Sequence, residues 1–429
     1  MVKVRFAPSP TGHLHIGGLR GALFNYYFAK KHHGKFVIRI EDTDLARNKL
    51  EYTDAIIKAF DWCGIHSDEP LVYQSQRMDV YQKYINILLT NGCAYKSEEY
   101  DEQGNLGTVI KCRVNREKDN ISFHDIIRGE ISFPLKEIDD FIIVRSNGMP
   151  LYNFVVVVDD IDMQITHIIR GEEHLSNTPK QIILYQSFQA TIPAFAHLPL
   201  ILGHDRKKLS KRDAATAVID YKKEGFLPDA LCMYLLRLGW AHGDQEIFTE
   251  KEILTYFSLE DIHHSGAIFD LQKLKSMNHL FLKKLTPEQI GKLLISEYGQ
   301  LPCDHHTQMA IISLYLPRIS TLIELYKIIR IIITAPIDYC FDLIENAHIE
   351  KKIAQSIINL FLQEITKIQE STYQKFLENP AWHIYQKHTI YTTIRFALLG
   401  LLESPSIITI MEILGKEEVI KRLMHFLEQ

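Results

Sequence analysis

Several features that commonly identify a class of protein are absent from this sequence. No stretch reaches the roughly 18 unbroken apolar residues that a membrane-spanning helix needs, and the first residues, Met1 to Arg5, form no apolar signal region. The net charge of -5 gives no global basic field, so any binding of nucleic acid must depend on local patches. Internal repeats and low-complexity tracts are also missing. These absences predict a protein with no membrane segment.

Cysteine is scarce and scattered. None of the six cysteines stands in C-x-x-C spacing, which argues against a disulfide scaffold and against a zinc ribbon; they are Cys63, Cys93, Cys112, Cys232, Cys303 and Cys340. In the polar region from about Lys96 to Asp140, the nearby Cys93, Cys112 and His124 also lack the spacing of a zinc site. We therefore expect no protein-bound zinc and a cytoplasmic location.

The composition that remains is that of a folded, multidomain protein. The chain has 429 residues, of which 46% are hydrophobic and 24% charged. A chain of this length is too long for one ordinary core and suggests about two to four domains.

A loop near the N-terminus carries the first chemical signal. A strand from Val2 to Phe6 leads into this loop, and a helix predicted from Leu19 to His33, with Gly34 as its C-cap, follows it. The loop contains three glycines and one histidine at the helix start: Gly12, His15, Gly17 and Gly18. Glycines allow backbone amides to approach a phosphate, and the helix N-terminus favours its negative charge. An isolated glycine loop with a surface histidine is an equally common explanation.

A second signal is a basic run after an apolar segment. Lys208, Ser210 and Lys211 follow Gly203, which can act as a hinge, and the lysines can neutralise a triphosphate when such a loop closes. Taken alone, this run is most often a solvated charged loop.

Opposite charges are expected around one crevice. The first strand, the helix and a second strand from Phe36 to Ile40 form a βαβ unit, whose ligands bind beyond the carboxyl ends of its strands. Arg5 near one strand end and Glu41 at the other suit an amino acid that carries both an ammonium and carboxylates. A salt bridge between the two residues is the alternative.

Together these motifs resemble a known family. His15-Ile16-Gly17-Gly18 matches the HIGH motif of class I aminoacyl-tRNA synthetases, and Lys208-Leu209-Ser210-Lys211-Arg212 matches their KMSKS motif. The flanking strings Pro8-Ser9-Pro10-Thr11-Gly12 and Arg39-Ile40-Glu41-Asp42-Thr43-Asp44 resemble those of bacterial-type glutamyl-tRNA synthetases. The resemblance implies an α/β N-terminal half with a Rossmann-like parallel sheet and an inserted acceptor-binding subdomain, followed by all-α C-terminal domains.

The resemblance also implies roles for individual residues. The catalytic residues would be His15, Lys208 and Lys211. ATP, taken with Mg²⁺, would contact Gly12, His15, Gly17, Gly18, Ser210 and Lys211. Glutamate would contact Arg5, Ala7, Ser9, Glu41, Tyr152, Val156 and Arg170, although Val156 stands where some relatives have a polar side chain. Tyr152 could instead be an ordinary core aromatic.

The region around Tyr152 reads as a β-hairpin. Asn147-Gly148 is a strong turn signal between Phe141–Arg145 and Leu151–Val158. The run from Val155 to Val158 is β-branched and does not alternate, as expected of a strand buried on both faces. Further on, Asn177 or Thr178 is predicted to cap a helix with Pro179 in its first turn.

The remaining sequence is predicted to be helical from about Ala214 onward, because isoleucine and leucine recur at three- and four-residue spacing. The resemblance divides the chain into a catalytic core (1–70 and 158–212), an acceptor-binding insertion (71–157), a stem-contact domain (213–310) and an anticodon-binding domain (311–429). Basic side chains in the last part are compatible with phosphate contacts or with solvated faces; they are Lys351, Lys352, Lys367, Lys375, Lys387, Arg395, Lys416, Lys421 and Arg422.

The sequence therefore predicts an ATP-dependent ligase that joins L-glutamate to tRNA for glutamate, through a glutamyl-adenylate, and acts as a monomer. An enzyme that also, or only, charges tRNA for glutamine stays open. A small-molecule adenylyltransferase would share the histidine loop but has no need of so many further helical residues. A truncated relative that modifies tRNA would lack the helical C-terminal third. A non-catalytic homologue is disfavoured by His15 and Lys211.

Overall fold

The structure is a computed structural model that describes residues 1–44, 48–100, 104–209, 217–367, 373 and 380–429. It divides into two compact units. The first unit contains residues 1–222 and 228–274, and the second contains residues 223–227 and 275–429. No helix among the described residues is both long and apolar enough to span a membrane.

The β-strands of the described residues all belong to the first unit. In chain order they are β1 (Lys3–Phe6), β2 (Lys35–Ile40), β3 (Val72–Tyr73), β4 (Ala94–Tyr100), β5 (Leu106–Cys112), β6 (Asn120–Asp125), β7 (Gly129–Pro134), β8 (Phe141–Val144), β9 (His167–Gly171), β10 (Ala194–Leu198), β11 (Ile201–Leu202) and β12 (Ala267–Ile268). Within the described ranges, seven of them form one sheet in the order β3-β2-β1-β9-β10-β6-β7. Every neighbouring pair in it is parallel except β6 and β7. The predicted Rossmann-like parallel sheet is confirmed.

The remaining strands of the described residues lie outside this sheet. β4, β5 and β8 form an antiparallel sheet, and β11 pairs with β12. β4 includes residues 98–100, at the start of the polar region.

The helices alternate with the strands in the first unit and account for most of the second. They are α1 (Ile16–Lys31), α2 (Leu50–Trp62), α3 (Met78–Thr90), α4 (Tyr152–Asp162), α5 (Thr178–Ser187), α6 (Val218–Lys223), α7 (Pro228–Arg237), α8 (Glu250–Tyr256), α9 (Leu271–Leu282), α10 (Pro287–Tyr298), α11 (His305–Tyr315), α12 (Leu322–Ile333), α13 (Phe341–Asn346), α14 (Lys351–Ile365), α15 (Lys387–Leu399), α16 (Ile407–Leu414) and α17 (Lys416–Glu428). The helical second half and the start of α5, with Asn177 as N-cap and Pro179 in its first turn, agree with prediction.

The predicted end of α1 was wrong by two residues. The helix ends at Lys31, and His33 adopts a positive φ of 50°. The C-cap is His32 and not Gly34. Gly34 has a different role, because a Cβ on this residue would lie 2.3 Å from the carbonyl oxygen of Val2. The glycine therefore lets the chain that enters β2 pass close to the strand β1.

The predicted strand from Leu151 to Val158 was also wrong, because these residues begin helix α4. The turn itself is present: Gly148 has a φ of +81°, and its amide donates to the carbonyl of Arg145 at 2.9 Å. Beyond it, seven consecutive residues from Phe154 to Asp160 are buried, and α4 packs against α3 and α5. A helix buried all round shows the same continuous apolar run as a buried strand, so the pattern could not separate the two.

In the second unit, Arg422 on α17 is a structural residue. Its side chain is 1% exposed. It donates to the carbonyls of Leu398 at 2.9 Å and Ile333 at 3.1 Å, and its Nε donates to Glu418 at 2.8 Å. The suggestion that Arg422 contacts phosphate was therefore wrong, since its donors satisfy the ends of α12 and α15. Lys375, from the same group, lies outside the described residues.

We predict that Arg422→Ala lowers the local unfolding free energy of α12, α15 and α17 by about 3 kcal/mol, because two buried carbonyls and Glu418 lose their donor. Native-state hydrogen exchange in these helices measures this free energy. Lys421→Ala is the matched control, because the neighbouring Lys421 side chain is 77% exposed, and a change below about 0.5 kcal/mol is expected there. Equal effects of the two substitutions would contradict this role for Arg422.

Candidate functional site

A cavity of about 420 Å³ opens at the carboxyl ends of β1 and β9. These two strands are neighbours in the sheet, and the chain leaves β1 towards β2 on the opposite side from β9. This reversal of strand order is the place where open parallel sheets bind their ligands. Among the predicted site residues, those that line the cavity are Arg5, Ala7, Ser9, His15, Gly17, Gly18, Glu41, Tyr152, Arg170 and Lys208.

Two predicted site residues do not line the cavity, and two others lie outside the described residues. Gly12 lies in the loop after β1 but does not line the cavity. Val156 on α4 is 1% exposed and does not line the cavity, so its predicted contact with an amino acid is not supported. Ser210 and Lys211 lie outside the described residues.

His15 is held in one orientation at the start of α1. It is the N-cap of the helix, and its Nδ1 accepts a hydrogen bond from the amide of Gly17 at 3.0 Å. A ring nitrogen that accepts from an amide carries no hydrogen, so in the neutral imidazole the hydrogen is on Nε2. The side chain lines the cavity. His15 can therefore donate from Nε2 towards a ligand while its other nitrogen completes the helix cap.

The segment before Ser210 forms a tight hairpin beside the cavity. Leu202 pairs with Lys208, and the amide of Gly203 donates to the carbonyl of Lys207 at 2.8 Å. Lys208 is exposed and lines the cavity. After the interval 210–216, Ala217 pairs with His15. The described chain thus follows the cavity wall as far as Leu209 and resumes beside the histidine loop at Ala217.

Arg5 is anchored beneath the cavity by a carboxylate that the sequence analysis did not assign to the site. Its Nε and Nη2 donate to the two carboxylate oxygens of Asp160 on α4, at 3.0 and 3.3 Å. Arg39 on β2 donates to the same carboxylate at 2.6 Å. Burial alone would raise the pKa of Asp160, but Arg39 and Arg5 lower it below its usual value. Asp160 is therefore an ionised buried counterion for both arginines.

Glu41 has a different environment at the same cavity. Its carboxylate lies 3.4 Å from Arg39 Nη2. Burial raises the pKa of Glu41 to about 7, although Arg39 and Arg5 act in the opposite direction. The alternative of a salt bridge between Arg5 and Glu41 is not what the structure contains, because Arg5 pairs with Asp160 instead. Glu41 can therefore gain or lose a proton near neutral pH.

Asp159, the neighbour of Asp160, fixes the far side of this charged cluster. It accepts from Gln74 Nε2 at 2.8 Å, from Arg77 Nε at 2.8 Å and from the Tyr81 hydroxyl at 3.1 Å. These partners come from the segment around α3. The two adjacent aspartates thus connect α4 to β1, β2 and α3 through charges buried from water.

Arg170 presents a free donor to the cavity. The residue is 8% exposed, and its Nη1 has no hydrogen-bond partner in the described part of the chain. The hydrogen-bond partners of its other nitrogens, in the described part of the chain, are His197, Thr178 and the carbonyl of His174, and none of them is a carboxylate. Burial lowers the pKa of Arg170 to about 10, so the guanidinium is still charged at neutral pH. A buried donor without a partner at a cavity wall is suited to an anionic ligand.

Arg20 links the histidine loop to the segment that leads to the basic run. It lies on α1 and lines the cavity, and it is 4% exposed. Its guanidinium donates to the carbonyl of Leu238 at 3.0 Å and to the carbonyl of Pro199. Burial lowers the pKa of Arg20 to about 10. Arg20 therefore fixes the connection between β10 and β11 against α1.

The sequence analysis missed Asp160, Arg39 and Arg20 as parts of the site. Two aspartates directly after four valines were the available signal for Asp160, since a charged pair on a buried segment needs partners. Nothing local identified those partners, because Arg39 is 121 residues from Asp160 in the chain. In the described residues, no group of three or more histidine, cysteine, aspartate or glutamate side chains is placed to hold a metal.

Comparisons with known proteins find similar sequences along the whole chain. Residues 1–106 and 101–276 match the family model described as tRNA synthetases class I (E and Q), catalytic domain, and residues 279–427 match the anticodon binding domain. The chain is 41% identical over 465 residues to the glutamate–tRNA ligase 2 of Nitratiruptor sp., covering 100% of this chain and 99% of that protein. It is 40% identical to the glutamate–tRNA ligase 1 of Wolinella succinogenes, over 99% of this chain and 98% of that protein.

Solved structures are similar over the same length. The crystal structure of a glutamate tRNA ligase from Elizabethkingia meningosepticum, in complex with its amino acid, superposes with a TM-score of 0.85 at 29% identity, covering 100% of this chain and 99% of that one. The glutamate-tRNA synthetase of Elizabethkingia anophelis gives a TM-score of 0.83 at 28% identity, with 100% of both chains covered.

Proposed function

This chain belongs to the class I tRNA synthetases of the E and Q type, and from that premise we propose that it ligates L-glutamate to tRNA for glutamate. The reaction would use ATP and proceed through a glutamyl-adenylate. The observation that carries the choice of substrate is the buried Arg170 guanidinium, whose Nη1 faces no partner in the described residues, in a cavity that Arg5 also lines.

The amino-acid end of the cavity suits a substrate with two carboxylates and one ammonium. Arg5 and Arg170 supply guanidinium groups, and Glu41 supplies the opposite charge. An arginine that is desolvated and charged binds a side-chain carboxylate more strongly than a neutral amide. Glutamine would leave buried positive charge uncompensated, and that cost supports glutamate as the substrate. Ala7, Ser9 and Tyr152 complete this end.

The nucleotide end lies at the start of α1. We propose that ATP binds as its Mg²⁺ complex, the ion being part of the substrate, with its phosphates near His15, Gly17 and Gly18. The helix N-terminus attracts phosphate, and Lys208 adds a mobile positive charge. We propose that Gly12, Ser210 and Lys211 also contact the nucleotide.

The chemistry then needs orientation and electrostatic stabilisation. The α-carboxylate of glutamate attacks the α-phosphorus of ATP, and pyrophosphate leaves. His15, through Nε2–H, and the lysines stabilise the charge that develops on the phosphoryl oxygens. The terminal ribose hydroxyl of tRNA then attacks the carbonyl of the adenylate, and AMP leaves. No side chain has to form a covalent bond.

The rest of the chain is proposed to hold the tRNA. Residues 71–157 would bind the acceptor end, residues 213–310 the inner elbow, and residues 311–429 the anticodon, while residues 1–70 and 158–212 hold the small substrates. The match of residues 279–427 to an anticodon binding domain supports the last assignment. We propose that the enzyme is a cytoplasmic monomer without protein-bound zinc.

Aminoacylation tests the proposal directly. Wild-type protein would be incubated with ATP, Mg²⁺, radiolabelled glutamate or glutamine, and separately purified tRNA for glutamate or for glutamine. Glutamate on the first tRNA alone supports the proposal. Glutamate on tRNA for glutamine, alone or in addition, indicates the less discriminating or tRNA(Gln)-directed enzyme. If neither tRNA is charged, the ligase proposal fails, and pyrophosphate exchange with other small acids tests an adenylyltransferase.

We predict that the KM for glutamate falls roughly tenfold from about pH 6 to pH 8, because ionised Glu41 holds the substrate ammonium and its pKa is raised to about 7. The same titration of Glu41 affects the stability of the folded protein in the opposite direction, so that higher pH lowers stability while it improves glutamate binding. The folded protein holds this proton more tightly than the unfolded chain, so Glu41 contributes stability below its ordinary pKa of 4.5, and that contribution is lost as the pH rises through 7.

Steady-state aminoacylation across this range, at saturating ATP and tRNA, measures the profile. Glu41→Gln is the control, because a neutral amide of the same shape does not titrate. The variant is expected to show a high KM for glutamate with no step near pH 7. A wild-type KM for glutamate that stays flat across the range would refute this role of Glu41.

A further inference from the structure

We propose that Asp125 and His197 are positioning residues that hold the Arg170 guanidinium in the orientation that binds the carboxylate of the amino-acid substrate. This inference rests on the proposed function. Neither residue lines the cavity, so both would act through Arg170. Asp125 lies at the end of β6 and His197 on β10, and both are fully buried.

Arg170 is oriented by neutral groups. Its Nε donates to His197 Nε2 at 3.1 Å, and its Nη2 donates to the Thr178 hydroxyl at 2.9 Å and to the carbonyl of His174 at 3.3 Å. These bonds occupy two of the three nitrogens and leave Nη1 for a ligand. Since none of these partners is a carboxylate, Arg170 has no ion-pair partner among its hydrogen-bond contacts before the substrate binds.

These contacts require one tautomer of His197. Arginine can only donate, so the Nε2 that faces it must accept and carries no hydrogen. The hydrogen of the neutral ring is then on Nδ1, which lies 2.6 Å from Asp125 Oδ2. Burial also lowers the pKa of His197, which favours the neutral ring. A protonated ring, or the other tautomer, would direct an N–H at the N–H of Arg170.

Asp125 is itself fixed, and its two oxygens have separate roles. Oδ1 accepts three backbone amides, from Ile127 at 3.1 Å, Arg128 at 3.0 Å and His197 at 3.3 Å. Oδ2 accepts from the His197 ring. The carboxylate therefore acts only as an acceptor towards the ring and selects the Nδ1–H tautomer, the same logic by which buried acceptors orient a histidine ligand.

This arrangement gives strand β6 a role at the amino-acid site. Asp125 lies in the region 71–157, which was predicted to be an insertion. Its strand β6 nevertheless belongs to the main sheet, where it pairs with β10 and Asp125 lies opposite Phe195. Two hydrogen bonds, one between Asp125 and His197 and one between His197 and Arg170, connect β6 to the cavity. A change at Asp125 should therefore alter the recognition of the amino acid and spare the recognition of ATP.

Asp125→Asn tests the inference, because the three amides keep the remaining oxygen and force the new NH₂ group towards His197. Nδ1 must then accept, the ring hydrogen moves to Nε2, and Arg170 loses its acceptor. We expect the KM for glutamate to rise about 10- to 100-fold, with the KM for ATP changed less than about twofold. Asp139→Asn is the matched control, because the Asp139 side chain, in the same region, is 97% exposed; it should change neither constant.

A double variant separates positioning from general damage. In Asp125→Asn combined with His197→Gln, the glutamine oxygen can accept from Arg170 without any tautomer, so the KM for glutamate should fall severalfold below that of Asp125→Asn alone. The tautomer can also be read in the wild-type protein by ¹⁵N NMR of labelled histidine, with the His197 ring signals assigned through bonds from its own backbone amide. That measurement does not depend on whether a variant folds, and the Nδ1–H form is expected.

Each result decides one question. A wild-type protein that charges no tRNA refutes the proposed function. A wild-type protein that charges tRNA, with an unchanged glutamate KM in Asp125→Asn, refutes the positioning role. Equal rises in the KM for glutamate and the KM for ATP, failure of the double variant to recover, or an Nε2–H tautomer in the wild type would each refute it as well.

Discussion

His15→Asn is expected to lower kcat for glutamyl-adenylate formation by about two to three orders of magnitude without lowering the thermal stability of the protein. Asparagine is a favoured N-cap, and its side-chain oxygen can replace His15 Nδ1 as the acceptor for the amide of Gly17. What it cannot replace is the distal Nε2–H, which we propose stabilises the developing charge on the phosphoryl oxygens. The substitution therefore removes one donor and preserves the helix start.

ATP–pyrophosphate exchange, measured with glutamate and tRNA present, reports the adenylate step. His15→Gln is the matched variant, because the glutamine NH₂ group reaches about as far as Nε2 and should recover part of the lost rate. The KM values for ATP and glutamate should change much less than kcat, as expected for a contact made mainly in the transition state. Exchange at the wild-type rate in His15→Asn would show that the histidine only caps the helix.

Asp160→Asn is expected to lower the free energy of unfolding of the first unit by about 3 kcal/mol and to weaken glutamate binding. Asp160 is 1% exposed, and its carboxylate accepts hydrogen bonds from both Arg5 and Arg39. The amide of asparagine keeps the shape of the side chain but carries no negative charge. The two buried guanidinium groups then lose the carboxylate that balances their positive charge. Arg5 then loses the bidentate partner that orients it beneath the cavity.

Asp162→Asn is the matched control, because Asp162 is on the same helix and pairs with Arg77 but is 43% exposed. Its substitution should cost less than about 1 kcal/mol. Urea unfolding of both variants and of the wild type provides the comparison. Equal losses of stability at the two positions would contradict a special role for the buried carboxylate.

The pH dependence of this difference has a definite sign. The pKa of Asp160 is lowered in the folded protein, so its contribution to stability is present above the ordinary value of 3.8 and is lost as the pH falls through the folded pKa. The gap between wild type and Asp160→Asn should therefore stay constant from about pH 8 to pH 5 and close only in stronger acid.

The sequence by itself determined the features that depend on neighbouring residues. The strand–loop–helix around His15 follows from glycines, a helix start and an apolar period that lie within one short stretch. Three further features also follow from residues that are close together in the chain: the second strand, the turn at Gly148, and the helix that begins with Thr178 and Pro179. The motif pair at His15 and Lys208 was also sufficient to predict the family to which the comparisons assign the chain.

Only the tertiary structure decided how the buried charges are paired. Asp160 is 155 residues from Arg5, and Asp125 is 72 residues from His197, so no local pattern could join them. It also decided that Val155 to Val158 form a helix, because burial on every side is a property of the packed neighbours α3 and α5. A charge in the interior is stable only beside its partner. The fold, which brings distant segments together, therefore determines which arginines stay available for a ligand.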